Sequence, residues 1–130
     1  VTSRHVVGAS GNVGTRWPIH ATSTGKAFIA FDIDGTQRLR GKLLSLTSKT
    51  ITQLDVLEKQ LGDIRRRGFA ETVDELEEGF SGVGAVVRDG MGEVLGALSI
   101  CGPSQRMSGA RRAQLGASLC AAASQLQPRY

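Results

Sequence analysis

The sequence has little of what builds covalent cross-links, metal sites or membrane spans. It contains two cysteines, Cys101 and Cys120, which excludes a disulfide framework, and it has no C-x-x-C pair to hold zinc. The longest stretch without a charged residue, residues 113–128, is interrupted by glutamine and serine and cannot span a bilayer. These absences predict a reducing, cytoplasmic location and no contact with a membrane.

Aromatic residues are also scarce. They make up 5% of the chain, with one Trp and one Tyr, too few to build a stacking platform for nucleic-acid bases. The net charge of +4 and the pI of about 9.6 raise nucleic-acid binding as a candidate function. Basic residues, however, are in excess in residues 1–52 and 106–130, whereas residues 53–105 are acidic. Because no continuous basic stripe results, direct nucleic-acid binding by this segment is disfavoured.

The residues that are abundant indicate one globular domain. Hydrophobic residues make up 40% of the 130 residues and charged residues 22%, with 17 glycines and 3 prolines. This composition is typical of a folded chain with many turns. The length predicts a single domain over residues 1–130. The start at Val1, without methionine or a leader sequence, suggests a piece cut from a longer protein.

Hydrophobic periodicity predicts three helices. Small residues followed by an apolar run predict the first over residues 21–31, and its early turns carry only small side chains. Leucines at helical spacing predict the second over residues 52–67, with Thr52 as its N-cap. Ser108 is predicted to cap the third, which runs to about residue 126.

Turn chemistry predicts an antiparallel hairpin. Two apolar runs, residues 82–88 and 94–101, flank an Asp-Gly-Met-Gly turn. A short strand at residues 4–7 is a further possibility, and residues 71–79 fit either a strand or a loop. Helices combined with an antiparallel sheet predict the α+β class.

Two nucleotide-binding motifs are only partly matched. Gly25 and Lys26 resemble the end of a phosphate-binding P-loop. His20 and Ala27, however, occupy the positions where that motif needs a glycine and a hydroxyl. The Gly-x-Gly at residues 82–84 lacks the third glycine of a dinucleotide fingerprint. No nucleotide site is predicted.

Other polar residues allow a catalytic or a metal site, but a structural role is favoured. Cys101 with His20 would form a thiolate and base pair, with Ser99 as another nucleophile. The favoured interpretation is an inert Cys101 on a buried strand and a solvated or capping His20. The acidic residues within residues 71–78 lack the spacing of a calcium loop and are predicted to form a solvated surface.

One arrangement favours a small-ligand site. A helix that begins near Thr22 exposes backbone N–H groups behind small side chains, which suits an anion such as a carboxylate. The two-residue period of the last strand places Leu95, Ala97, Ser99 and Cys101 on one face. Because every helix start and every strand has such features, this spacing alone does not decide between a ligand site and ordinary packing.

The order of several motifs resembles one family. Residues 17–27 resemble the P-x-H-A-(T/S)-x-x-G-K-A signature of IclR-type transcriptional regulators. Residues 50–70 are similar to its T-I-T, leucine and I-R-x-x-G-Y-A segment, and residues 75–92 also match. Residues 97–108 look like its A-L-S-V-S-G-P-x-x-R-L-S ending. The resemblance covers about residues 8–126.

The resemblance implies a GAF-like (profilin-like) effector-binding domain, an antiparallel sheet flanked by helices, that needs no metal or other cofactor. In the family this domain follows a winged helix-turn-helix that binds operator DNA, and it forms homodimers or tetramers. The first helix and strands of the domain, together with the DNA-binding part, are expected upstream of Val1. The implied function is sensing of a small metabolite, often a carboxylate, without catalysis.

The resemblance also implies which residues bind the effector. They are Ser23, Thr24, Gly25, Thr72, Phe80, Gly82, Ser99 and Cys101. Thr72 stands where some members have an acidic residue, and Phe80 stands where a smaller aliphatic is common. Gly82 and Gly84 stand where Cys or Ala is frequent. These departures leave the identity of the effector open.

Three hypotheses therefore follow from the sequence. The leading one is a non-catalytic sensor of a small organic acid. The second is a small hydrolase-like enzyme that uses Cys101 or Ser99. The third is a dimerisation module without a ligand pocket.

Overall fold

The computed structural model describes residues 18–39 and 43–126. The helices are α1 (Ser23–Phe31), α2 (Leu54–Arg67) and α3 (Gly109–Gln125). The strands are β1 (Ala70–Val73), β2 (Phe80–Arg88) and β3 (Val94–Pro103). The strand suggested at residues 4–7 lies outside the described residues. Within the described ranges, no helix is both long enough and apolar enough to cross a bilayer.

The three strands form one antiparallel sheet in the order β1-β2-β3. The predicted hairpin is confirmed: β2 and β3 are joined at Asp89, whose Oδ1 accepts from the backbone N–H groups of Met91 and Glu93 at 2.9 and 3.0 Å. For residues 71–79 the sequence allowed either a strand or a loop. The structure contains both: β1 includes residues 71–73, and the remaining residues form a loop.

Helices cover both faces of the sheet. On one face, α1 lies on β2 and β3, and α2 packs against α1. The buried side chains of this layer include Ala27, Ile29, Leu57, Leu61, Ile64 and Val86. On the other face, α3 packs on β2, and its core consists of Phe69, Val83, Ala85, Leu119 and Ala123. This architecture confirms the α+β class.

The helix ends confirm one predicted cap, correct another and add one that was not predicted. The added cap is Thr22, whose hydroxyl accepts from the N–H of Gly25 at 3.2 Å at the start of α1. The Ser108 hydroxyl accepts from the N–H of Arg111 at 3.2 Å at the start of α3. The prediction that Thr52 caps α2 is wrong. The first carbonyl that accepts a helical bond there is that of Gln53, so the cap lies one residue later.

The loop between β1 and β2 is organised by Asp74. This residue has a φ of 58°, in the left-handed region, and its Oδ1 accepts from the N–H of Gly79 at 2.9 Å and from the Ser104 hydroxyl. The Thr47 hydroxyl donates to the Asp74 carbonyl at 2.6 Å. The hydrogen bond from Ser104 is the main reason why the pKa of the Asp74 carboxyl lies below its usual value.

Asp74→Asn should remove a pH-dependent part of the stability. Asparagine tolerates the left-handed φ but carries no charge, so we expect a loss of about 1 kcal/mol at pH 7. Because the folded pKa of Asp74 is depressed, its contribution is present above the ordinary value of 3.8 and disappears as the pH falls through the folded value. Urea unfolding of both proteins at neutral and at acidic pH measures this. A difference in unfolding free energy that is the same at both pH values would contradict the assignment.

Candidate functional site

The first turn of α1 lies directly on the backbone of β2. A Cβ atom at Gly84 would lie 2.7 Å from the carbonyl carbon of Ser23 and 2.9 Å from the nitrogen of Thr24. A Cβ atom at Gly82 would lie 3.4 Å from Ser23 Oγ and 3.0 Å from Cys101 Sγ. The two glycines therefore let the helix approach the sheet beside β3.

This turn has the electrostatics of an anion site. The N–H groups of Ser23 and Thr24 are the first in the helix and have no acceptor within it. The next two, those of Gly25 and Lys26, donate to the hydroxyl and the carbonyl of Thr22 at 3.2 and 2.9 Å. No acidic side chain occupies the first turn. The positive end of the helix dipole thus faces the sheet without a counter-charge in this turn.

The eight residues implied by the resemblance lie on one side of the sheet. Strand register places Thr72 opposite Gly82, and Gly82 opposite Cys101, in one row across the three strands. On one side of this row, Ser99 is opposite Gly84. On the other side, Phe80, the first residue of β2, is opposite Pro103. Alternation along the strands puts all of these on the side of the sheet where α1 lies, although α1 leaves Ser99 and Cys101 exposed. Their role in binding stays a prediction.

Gly25 is packed closely against the turn that precedes α1. A Cβ atom there would lie 2.4 Å from the carbonyl oxygen of Ile19 and 2.6 Å from Thr22 Oγ1. The turn at Ile19–Ala21 folds back on the helix start and leaves no room for a methyl group. The glycine therefore keeps the first turn of α1 compact.

The structure corrects the expected environments of Cys101 and His20. Cys101 is exposed, because its face of β3 extends beyond the edge of α1, so the prediction of a buried strand at this residue is wrong. His20 is buried, and its Nε2 lies 2.8 Å from the carbonyl oxygen of Leu44, so it is neither solvated nor a cap. Nearby protein groups desolvate the Cys101 thiol and raise its pKa, and a hydrogen bond with Ser99 only partly opposes this. A raised pKa disfavours the thiolate.

A buried lysine beside this turn was missed from the sequence. The side chain of Lys26 is fully buried and forms an ion pair with Glu75. Its ammonium also donates to Gln60 Oε1 at 2.9 Å and to the Glu71 carbonyl at 3.4 Å. Burial lowers the pKa of Lys26, and the charge of Glu75 opposes the shift. The helical spacing of Lys26 with the buried Ile29 and Ala30 was the signal for its burial.

The acidic segment is less solvated than predicted. Glu75 is buried against Lys26, so the expectation of a solvated surface is wrong for this residue. Beside it lies a cleft of about 270 Å³ between α2 and β1. There the Glu71 carboxylate is 3.5 Å from Arg67 Nη1 and 3.5 Å from Arg112 Nε. In the part of the chain that the structure describes, no group of three His, Cys, Asp or Glu side chains is placed to hold a metal ion.

Comparison with known proteins shows which family the chain belongs to. The family model described as the C-terminal part of the bacterial transcriptional regulator IclR matches residues 1–127. The chain belongs to the IclR family. Its IclR C-terminal domain is 34% identical over 96 residues to the glycerol operon regulatory protein of Streptomyces griseus, which covers 73% of this chain and 38% of the relative. The chain spans less than half the length of the curated relatives that it matches.

Solved structures show the same fold. The IclR C-terminal domain superposes on the Agrobacterium tumefaciens repressor BlcR with a TM-score of 0.82 and 28% identity, over 91% of this chain and 49% of that one. The inducer-binding domain of PobR from Acinetobacter, a double mutant in complex with 3-hydroxybenzoic acid, gives a TM-score of 0.78 and 26% identity, over 88% and 68% of the two chains. The expected GAF-like α+β fold is thereby confirmed.

Proposed function

We propose that this IclR C-terminal domain is a non-catalytic sensor of a small organic acid. The observation that carries the proposal is the bare first turn of α1, which lies on Gly82 and Gly84 next to Ser99 and Cys101. The PobR neighbour, an inducer-binding domain in complex with 3-hydroxybenzoic acid, supports a carboxylate as the ligand class. Binding shifts a conformational or oligomeric equilibrium that a DNA-binding segment reports.

The residues of the site have complementary tasks. The N–H groups of Ser23 and Thr24 bind the carboxylate, because they lie at the positive end of α1. Ser99 offers a hydroxyl donor, and the protonated thiol of Cys101 offers a weaker one. Thr72 and Phe80 line the part of the pocket that holds the rest of the ligand, along the same face of the sheet.

The wider setting is part of the same proposal. The domain associates as a homodimer or tetramer in the cytoplasm, and operator DNA is bound by a winged helix-turn-helix outside residues 1–130. Catalysis is disfavoured, since the Cys101 thiol has a raised pKa and His20 Nε2 is engaged with Leu44. The relatives named above are transcriptional regulators or parts of them, which also favours sensing over an enzyme.

A charge placed in the first turn tests the site. Thr24→Asp should weaken binding of an organic acid at least about tenfold, equal to about 1.4 kcal/mol, because two negative charges then share the same N–H groups. Folding should be unaffected or slightly favoured, because acidic residues suit a helix start. Thr52→Asp, which adds the same charge just before α2, is the matched control and should leave affinity unchanged. Calorimetry with 3-hydroxybenzoate and a panel of small organic acids, each beside its neutral amide, gives the affinities.

The same titrations test β3 and the alternatives. Ser99→Ala and Cys101→Ala should each weaken acid binding by about 0.5–1.5 kcal/mol if the side chain donates a hydrogen bond. Affinity that is unchanged in Thr24→Asp, or amides that bind as well as acids, would overturn the anion site. If no ligand raises the melting temperature of the wild-type protein, the dimerisation module is the better hypothesis.

A further inference from the structure

We propose that Lys26 is the positioning residue of this site: its buried ion pair with Glu75 holds the first turn of α1 in place on the sheet. The N–H groups that would meet an effector are thereby held at a set distance from Ser99 and Cys101. The part of the inference that concerns the effector rests on the proposed function. The part that concerns the helix position does not.

The contacts of Lys26 determine where its ammonium lies. An ammonium has three N–H donors, and Lys26 has three acceptors within reach. They are the Glu75 carboxylate, Gln60 Oε1 at 2.9 Å and the Glu71 carbonyl at 3.4 Å. These acceptors lie on the loop after β1, on α2 and on β1, between 34 and 49 residues away along the chain. One side chain therefore ties the first turns of α1 to three other segments.

The partner of Lys26 is itself held in place. The second carboxylate oxygen of Glu75, Oε2, accepts from the N–H of Val73 at 3.2 Å. The Glu75 carbonyl accepts from the Thr50 hydroxyl at 2.6 Å. Because Glu75 is bonded through both its side chain and its backbone, it provides a fixed point for the ammonium.

The two ends of α1 are held by different kinds of contact, and only the N-terminal end depends on Lys26 for its position. The C-terminal end is held by Arg65 Nε, which donates to the Ala30 carbonyl at 2.6 Å, and by Arg88, which lies 4.5 Å from the centre of the Phe31 ring. The N-terminal end rests on Gly82 and Gly84, which present backbone but no side chains that would interlock with the helix. A helix that rests on bare backbone can slide along the sheet more easily than a helix whose side chains interdigitate with those of the strands.

The chemistry of the pair points to position rather than stability. A buried ion pair contributes little net stability relative to neutral residues of similar volume, because both charges lose their hydration. The ion pair differs from apolar contact in being directional. The Lys26 ammonium has to reach three acceptors, whereas a methionine side chain at this position could pack with α1 in many positions. The pair therefore defines where the helix start lies.

The double variant Lys26→Met/Glu75→Gln tests the inference in the full chain. It removes both charges and keeps similar side-chain volumes. We expect a melting temperature close to that of the wild type, but amide hydrogen exchange about tenfold faster in residues 25–28, whose N–H groups are the first in α1 with acceptors, and unchanged exchange in α2. The matched control, Asp63→Asn/Arg66→Met, removes an exposed ion pair within α2 and should leave exchange in residues 25–28 unchanged.

The affinity for organic acids separates the two parts of the inference. With 3-hydroxybenzoate, or the panel acid that binds the wild type most tightly, we expect the Kd of the double variant to rise about tenfold. Faster exchange with an unchanged Kd would overturn the role of Lys26 toward the effector. Wild-type exchange in a folded double variant would overturn the positioning role itself. If no acid binds the wild type, the proposed function fails, and the exchange rates still decide whether Lys26 positions the helix.

A milder variant keeps the test decisive if the double variant does not fold. Gln60→Leu removes one of the three acceptors and retains the ion pair with Glu75. Exchange in residues 25–28 should then rise about threefold, because two of the three acceptors of Lys26 remain. Unchanged exchange in this folded variant would overturn the inference.

Discussion

Lys26→Met alone should lower the free energy of unfolding by about 3–5 kcal/mol, because it leaves the buried Glu75 carboxylate without its partner. Glu75 is only 7% exposed, so water cannot replace the lost ammonium without a rearrangement. Urea unfolding at neutral pH measures the loss. The exposed pair between Arg66 and Asp63 is the control, and its removal should change the free energy of unfolding by less than about 1 kcal/mol.

The double variant provides a further check. Lys26→Met/Glu75→Gln should recover most of the stability, since no unpaired charge then remains. A loss below about 1 kcal/mol in the single variant would mean that the Glu75 carboxylate is reached by water, contrary to the structure.

Gly84→Ala should cost up to about 3 kcal/mol, at the upper end for inserting a methyl group into a packed interior. The new Cβ would lie 2.7 Å from the carbonyl carbon and 2.8 Å from the carbonyl oxygen of Ser23. These are backbone atoms, so α1 has to move as a unit. We therefore expect weaker binding of organic acids as well as a lower urea midpoint.

Gly96→Ala is the matched control on the neighbouring strand. No heavy atom lies within 4 Å of a Cβ built at Gly96. The free energy of unfolding of the Gly96→Ala variant should therefore stay within about 0.5 kcal/mol of the wild-type value or rise slightly, since alanine restricts the unfolded chain. Equal effects of the two substitutions would show that α1 does not press on β2 at Gly84.

Part of the candidate site could be predicted from local pattern. The small residues at the start of α1 and the alternation along β3 correctly indicated that Thr24, Ser99 and Cys101 belong to a helix start and one strand face. The row from Thr72 through Gly82 to Cys101 was not visible in this way. It depends on strand register, which brings together residues far apart in the chain.

The three errors about burial share one physical cause. His20 and Glu75 were expected to meet water, and Cys101 was expected to be buried, yet the structure reverses all three environments. Residue type gives only an average burial, whereas actual burial depends on which segments pack above each side chain. Residue type alone does not show that His20 meets the carbonyl of Leu44 or that the side chain of Cys101 stays exposed.

The sequence by itself determined the three helices, the hairpin and the family, because helix periodicity, caps and turn residues act over a few neighbouring positions. Only the tertiary structure decided the burial of Lys26 and the contact of α1 with Gly84. The physical reason is that an ammonium can be buried only where distant segments supply acceptors for it. Here those acceptors come from Gln60, Glu71 and Glu75, which the fold alone brings to one point.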